Sequence, residues 1–164
     1  LDISNIELFN IYRPNDFNIC TAISDVEKET NLYYYHPKSS INTIDKKTSE
    51  YQNAKVTAIK KIKTNTLNNI LNSSKFESNT IDFLSVDVEG SELAVLKNFN
   101  FKKYKPKVIV IEFLDLTLKK LEIKNINLKN ILNSNIYNLL ISNDYNLVNI
   151  LHADLVFIHN DFKD

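Results

Sequence analysis

Several things are scarce in this chain. Its 164 residues include one glycine, three prolines, one cysteine and no methionine. A lone cysteine, Cys20, cannot close an internal disulfide, which excludes a small domain stapled by such bridges. A lone glycine, Gly90, excludes a glycine-rich phosphate cradle within these residues. No signal peptide and no long apolar run stand out, so no membrane span is expected, and with the single cysteine this points to a cytoplasmic protein. Twenty basic and twenty acidic side chains cancel, leaving no overall field for nucleic acid or an anionic membrane surface. Partners must then be recognised locally. The missing methionine, in a chain that begins with Leu1, leads us to expect that an N-terminal part is absent.

What is present suffices for a core. Residues are 43% apolar and 10% aromatic, and the length suits a single domain covering 1–164. Ser4-Asn5-Ile6-Glu7 reads as a capping box, followed by Phe9 and Tyr12 at helical spacing, with the helix ending near Arg13-Pro14. Phe17, Ile19, Thr21 and Ile23 alternate with smaller or polar residues, the period of a half-buried strand. Leu1-Asp2-Ile3 would be the tail of an earlier strand. Strands are also expected at Leu32 to Tyr35 and Val56 to Ile62, joined by a long polar loop.

The second half is more sharply patterned. A helix opens near Thr64 or Thr66, a strand spans Ile81 to Val88, and a helix starts just past Gly90. Pro106 then interrupts, and Lys107 to Phe113 is a β-branched run of the kind covered on both faces of a sheet. This is a βαβ unit with parallel strands. A helix around Leu128 to Ile141 precedes two strands, Tyr145 to Ile150 and Leu155 to His159, whose short turn makes them an antiparallel hairpin at one edge.

Carboxylates gather where the parallel strands end. Asp87 and Glu89 close one strand and Glu112 closes its partner, with Asp115 shortly after. One acid at a βα junction is commonly a helix cap, stabilised by about 0.3–1 kcal/mol through the macrodipole. Acids on two adjacent strand ends point instead to a crevice, because ligands of open α/β sheets bind beyond the carboxyl ends of the strands. Gly90 fits as the residue that turns the chain there without a Cβ clash.

The string IDFLSVDVEGSELAVLKNFNFKKYKPKVIVIE, residues 81–112, resembles the signature region of the FkbM-type methyltransferases. In that family a strand ending Asp-x-Glu-Gly leads into a Glu-Leu helix, then a proline and a strand ending Ile-Glu. LDISNIELFNIYRPNDFNICTAIS, KIKTNTLNNIL and the closing hairpin are similar to the family as well. The resemblance implies a Rossmann-like class I methyltransferase, an α/β fold with a mostly parallel sheet and a C-terminal antiparallel hairpin. It implies S-adenosylmethionine as cofactor and a hydroxyl of a sugar, glycan or natural product as the small-molecule acceptor. Asp2 would hold the cofactor's ribose hydroxyls by charge-assisted hydrogen bonds, with Ser24 and Asp25 near its adenine and Asp87 also against the cofactor. The family's first strand and glycine-rich loop, which lies about 20 residues before the ribose acid, have no counterpart in this sequence. For that reason this stretch by itself is expected to be inactive.

Asp87 is the first choice for general base, with Glu89 or Glu112 orienting the acceptor or the cofactor's ammonium group. The same carboxylates would suit Mg²⁺, and nothing in their spacing decides whether an ion is bound. Two other readings stay open: a Mg²⁺-dependent phosphoryl-transfer enzyme, and a non-catalytic interaction module on the same fold. His36, His152 and His159 form no zinc pattern and read as surface or structural groups. Tyr33 to Tyr35 read as strand packing, and Lys60, Lys61 and Lys63 as a solvated strand face.

Overall fold

A computed structural model describes residues 3–37, 39–52, 54–77, 80–115 and 127–163. The chain divides into two compact units, Leu1–Glu77 and Ser78–Asp164.

The first unit opens with helix α1, Ile3–Tyr12, which stops ahead of Arg13-Pro14 as the pattern requires. It begins one residue before Ser4, so Ser4 lies inside the first turn and is not the N-cap. A three-stranded sheet follows in the order β1-β3-β2, built from Ala22–Ile23, Glu29–Tyr34 and Ala58–Asn65. β1 runs parallel to β3, and β2 runs antiparallel to it.

The strand expected from Phe17 onward is reduced to two residues, and in the opposite phase. Phe17 and Ile19 are exposed while Ala22 and Ser24 are buried. Local hydrogen bonding explains the loss: the Asn18 amide donates to Asn10 Oδ1 at 3.0 Å and to the Arg13 carbonyl at 3.5 Å, tying the segment back to the end of α1. Only past Thr21 does the backbone reach β3, where Ser24 N–H donates to the Asn65 carbonyl at 2.9 Å.

The polar stretch between β2 and β3 is also more ordered than its composition suggests. It contains a short helix α2, Lys46–Tyr51, whose N-cap Asp45 accepts from Thr48 N–H at 2.7 Å. Tyr35, buried, donates its hydroxyl to the Ser49 carbonyl at 3.2 Å. Its backbone N–H donates to Asn42 Oδ1 at 2.9 Å. Lys60 Nζ lies 3.5 Å from the ring centre of Tyr34. Helix α3, Leu67–Asn72, starts where expected, with Thr66 Oγ1 accepting from Asn69 N–H.

The second unit is built on a four-stranded sheet in the order β4-β5-β7-β6. β4 is Phe83–Val86, β5 Val108–Glu112, β6 Tyr145–Leu151 and β7 Asp154–His159. β4 and β5 pair in parallel, joined through α4, Glu92–Lys97, and the single turn α5, Phe101–Tyr104. The β6–β7 hairpin places β7 inside, antiparallel to β5, and leaves β6 at the edge. An antiparallel hairpin is what the sequence predicts at this point. The sheets are mixed, however, where a mostly parallel sheet was expected. A hairpin needs no crossover, so it adds antiparallel pairs at little entropic cost.

Register explains the core. Leu84, Ile109 and Phe157 align across β4, β5 and β7, as do Val86, Ile111 and Leu155. Ile109, Ile111 and Phe157 are 0% exposed. Cross-strand rows of this kind fix register, because a slip by one residue would turn every apolar side chain to the other face. Tyr145 closes one end of this core, donating its buried hydroxyl to the Pro106 carbonyl at 2.7 Å. Burial pushes its phenol well above the usual range. The expected helix over Leu128 to Ile141 is two helices, α6 Leu128–Leu132 and α7 Asn135–Ile141. Ser134 divides them by capping α7, accepting from Tyr137 N–H at 3.1 Å.

Replacing Phe157 by Ala should lower unfolding stability by about 3–5 kcal/mol, the loss typical of emptying a packed aromatic site. Phe83→Ala, at a side chain 60% exposed, should change it by less than about 1 kcal/mol. Urea melts of both variants measure the contrast.

Candidate active site

One residue past the paired Val86 and Ile111, the carboxyl ends of β4 and β5 carry Asp87 and Glu112. The loop from Val88 to Ser91 then reverses into α4. Glu89 takes a left-handed backbone with φ 54°, and Gly90 follows with φ 94°. The turn therefore brings Glu89 back beside the strand ends. One carboxylate oxygen from each of Asp87, Glu89 and Glu112 lies within 4.8 Å of the other two. Asp87 is exposed, whereas Glu89 and Glu112 are half-buried.

Burial and crowding act together on these acids. Desolvation, reinforced by the charges of Asp87 and Glu92, pushes the Glu89 carboxyl up to about 7. Glu112 is pushed up to about 8, again chiefly by desolvation, then by the charges of Asp87, Glu89, Glu92 and Asp154. Its Oε2 is a buried acceptor with no hydrogen-bond donor among the described residues. Such a set of oxygens suits a positively charged group. A carboxylate left unpaired in a desolvated spot is costly, and a proton or a cation relieves it.

Two acids of this neighbourhood are given no role by the sequence reading. Asp154 stands opposite Glu112 in the β5–β7 register, although the sequence places it in the hairpin turn. Glu92, the first residue of α4, is 3% exposed and accepts from the N–H groups of Val88 and Gly90 at 3.0 Å each. Burial raises its carboxyl above the ordinary value, and these backbone hydrogen bonds oppose the rise. The available signal was a carboxylate two residues after the only glycine, at a helix start. Asp115 is engaged elsewhere, accepting from the Asn130 amide at 2.7 Å.

Ser24 and Asp25 belong to the first unit. Ser24, buried, donates its hydroxyl to Asp25 Oδ1 at 3.1 Å, and Lys28 Nζ lies 3.4 Å from the same oxygen. Burial works against the charge of Asp25, but the bonds from Ser24 and Lys28 and the lysine's charge hold its carboxyl below the usual range. Asp2 lies outside the described residues. A cavity of about 370 Å³ in the same unit is lined by Phe17, Ile19, Ile70, Leu71 and Phe76 with polar neighbours, and includes none of the expected site residues. Of the histidines, His36 and His152 are exposed, and His159, buried, accepts at Nδ1 from Asp161 N–H.

A family model described as a methyltransferase FkbM domain matches residues 4–147. No curated protein and no solved structure matches the chain significantly.

The raised carboxyls make stability depend on pH in a definite direction. Folded values of about 7 and about 8 against the ordinary 4.5 mean that the folded state holds these protons more tightly than the unfolded chain. Their contribution is fully present below 4.5 and is lost as pH rises through 7 and 8. Glu112→Gln, which cannot ionise, escapes much of that loss. From pH 5.5 to 8.5 the wild-type Tm should therefore drop relative to the variant's, by about 2–4 °C for each kcal/mol involved. Parallel Tm profiles would refute the crowding of these acids.

Proposed function

The chain belongs to the FkbM methyltransferase domain family, and from that premise we propose that the protein expressed from its complete reading frame is an S-adenosylmethionine-dependent O-methyltransferase acting on a hydroxyl of a sugar, glycan or natural product. The observation that carries the site assignment is the meeting of Asp87, Glu89 and Glu112 within 4.8 Å at the ends of a parallel strand pair. The cofactor supplies an electrophilic methyl group on a positively charged sulfur, beside an ammonium group. Carboxylate oxygens are the donors such cations call for, and the unpartnered Oε2 of Glu112 is available to one.

In this reading the cluster holds the acceptor hydroxyl and takes its proton. Asp87, the exposed member, meets the acceptor first and is the leading general base. Glu89, with a carboxyl near 7, is matched to receive or share that proton at neutral pH. Glu112 orients the reactants from the neighbouring strand. Much of the acceleration comes from holding the acceptor oxygen in line with the methyl group. By the family resemblance, the cofactor's ribose hydroxyls are assigned to Asp2 and its adenine to Ser24 and Asp25. Family membership favours methyl transfer over phosphoryl transfer on the same carboxylates. The three oxygens also match the donor preference of Mg²⁺, so assays with and without Mg²⁺ separate an ion-assisted reaction from one that needs none.

The test is calorimetric titration of S-adenosylhomocysteine into the protein expressed from its complete reading frame, with Asp2→Ala and Asp87→Asn beside it. Binding should weaken roughly 10- to 100-fold in Asp2→Ala, the loss of a charged hydrogen-bonding group. Methyl transfer to a panel of hydroxyl acceptors should fall by roughly 10²–10⁴ in Asp87→Asn. No binding of S-adenosylhomocysteine to the wild type would overturn the assignment.

A further inference from the structure

Glu92 is the one acidic side chain among the described residues that is buried, at 3% exposed. A single oxygen, Oε1, accepts both the Val88 and the Gly90 N–H, each at 3.0 Å. Those two donors flank Glu89, held at φ 54°. A non-glycine residue in that region is strained unless its surroundings fix it. The helix N-cap, Ser91, makes no side-chain capping bond, so the clamp comes from Glu92 reaching back over the loop.

We propose that Glu92 is a positioning residue, whose carboxylate pins the Val88–Gly90 backbone and thereby aims Asp87 and Glu89 at Glu112. The inference deepens the methyltransferase reading and rests on it. Reach and accepting power are the useful properties of this side chain. Its charge works the other way, since it adds to the repulsion felt by Glu89 and Glu112.

Three variants of the protein from its complete reading frame separate these properties. Glu92→Gln keeps the reach and the accepting oxygen without the charge, Glu92→Asp keeps the charge but is one methylene short, and Glu92→Ala keeps neither. Amide hydrogen exchange at Val88 and Gly90 should stay slow in Gln and become fast in Asp and Ala. Gln should rescue kcat to within about threefold of wild type, while Asp and Ala lose roughly 10- to 100-fold in kcat with little change in KM, as misplacement of reacting groups does. An active Asp with an inactive Gln would overturn the proposal in favour of a charge role. Equal losses in all three that track a fall in Tm would reduce Glu92 to a folding residue and overturn it too. Should the wild type neither bind S-adenosylhomocysteine nor transfer methyl groups, the functional reading fails by itself. Amide exchange then still decides the clamp, which unchanged protection in Ala would sink.

Discussion

Like charges crowded at the ends of two parallel strands are the constraint on which the second unit turns. In this partly desolvated place the charge of Asp87 bears on Glu89, and the charges of Asp87 and Glu89 bear on Glu112. They are held because the strands beneath them cannot slip. Val86 and Ile111 are paired directly below the two strand-end acids, and Leu155 extends that row into β7. Apolar burial along this row and its neighbour works against the repulsion above it. A rigid, dry floor under an unstable group of charges is how an α/β sheet can hold reactive carboxyls near neutral pH.

The backbone contributes a second constraint. Glu89 and Gly90 are consecutive left-handed residues, and the chain's only glycine sits at the second of them. Elsewhere the described residues use Lys105 after α5, Asp144 after α7 and His152 in the β6–β7 turn for the same purpose. Those are helix ends and a hairpin tip, where a polar side chain can tolerate the conformation in solvent. Between Glu89 and the start of α4 there is less room, because Ser91 and Glu92 are buried. Absence of a Cβ is worth most at such a point.

Much of this second unit could be read from the sequence because its signals are long and redundant. The Ile81 to Glu112 segment announces a strand, a glycine turn, a helix and a second strand in one run, and β4, α4 and β5 follow it closely. What escaped was shorter or decided by distant partners. α2 is six residues long, too few to show a helical period, and rests on the Asp45 cap. One helical pattern became α6 and α7 because Ser134 could cap a new helix in the middle of it. Alternation from Phe17 to Ile23 signalled a strand, but Asn18 found partners on α1 and the small residues Ala22 and Ser24 were buried in place of the larger ones. At the site, Asp87, Glu89 and Glu112 were legible as strand-end acids. Asp154 was not, since only the β5–β7 register brings it opposite Glu112.

The charge state of the cluster has a consequence for the proposed chemistry. Methyl transfer from a sulfonium to a hydroxyl turns a cation into a neutral thioether and releases one proton. A site that relied on the sulfonium to balance its carboxylates would be left with unrelieved repulsion once the methyl group had moved. In the proposed reaction Glu89 and Glu112, whose carboxyls lie at about 7 and about 8, are the groups that would take up that proton. The total charge around Asp87 would then be the same before and after transfer, and the raised carboxyls would exchange one positive charge for another.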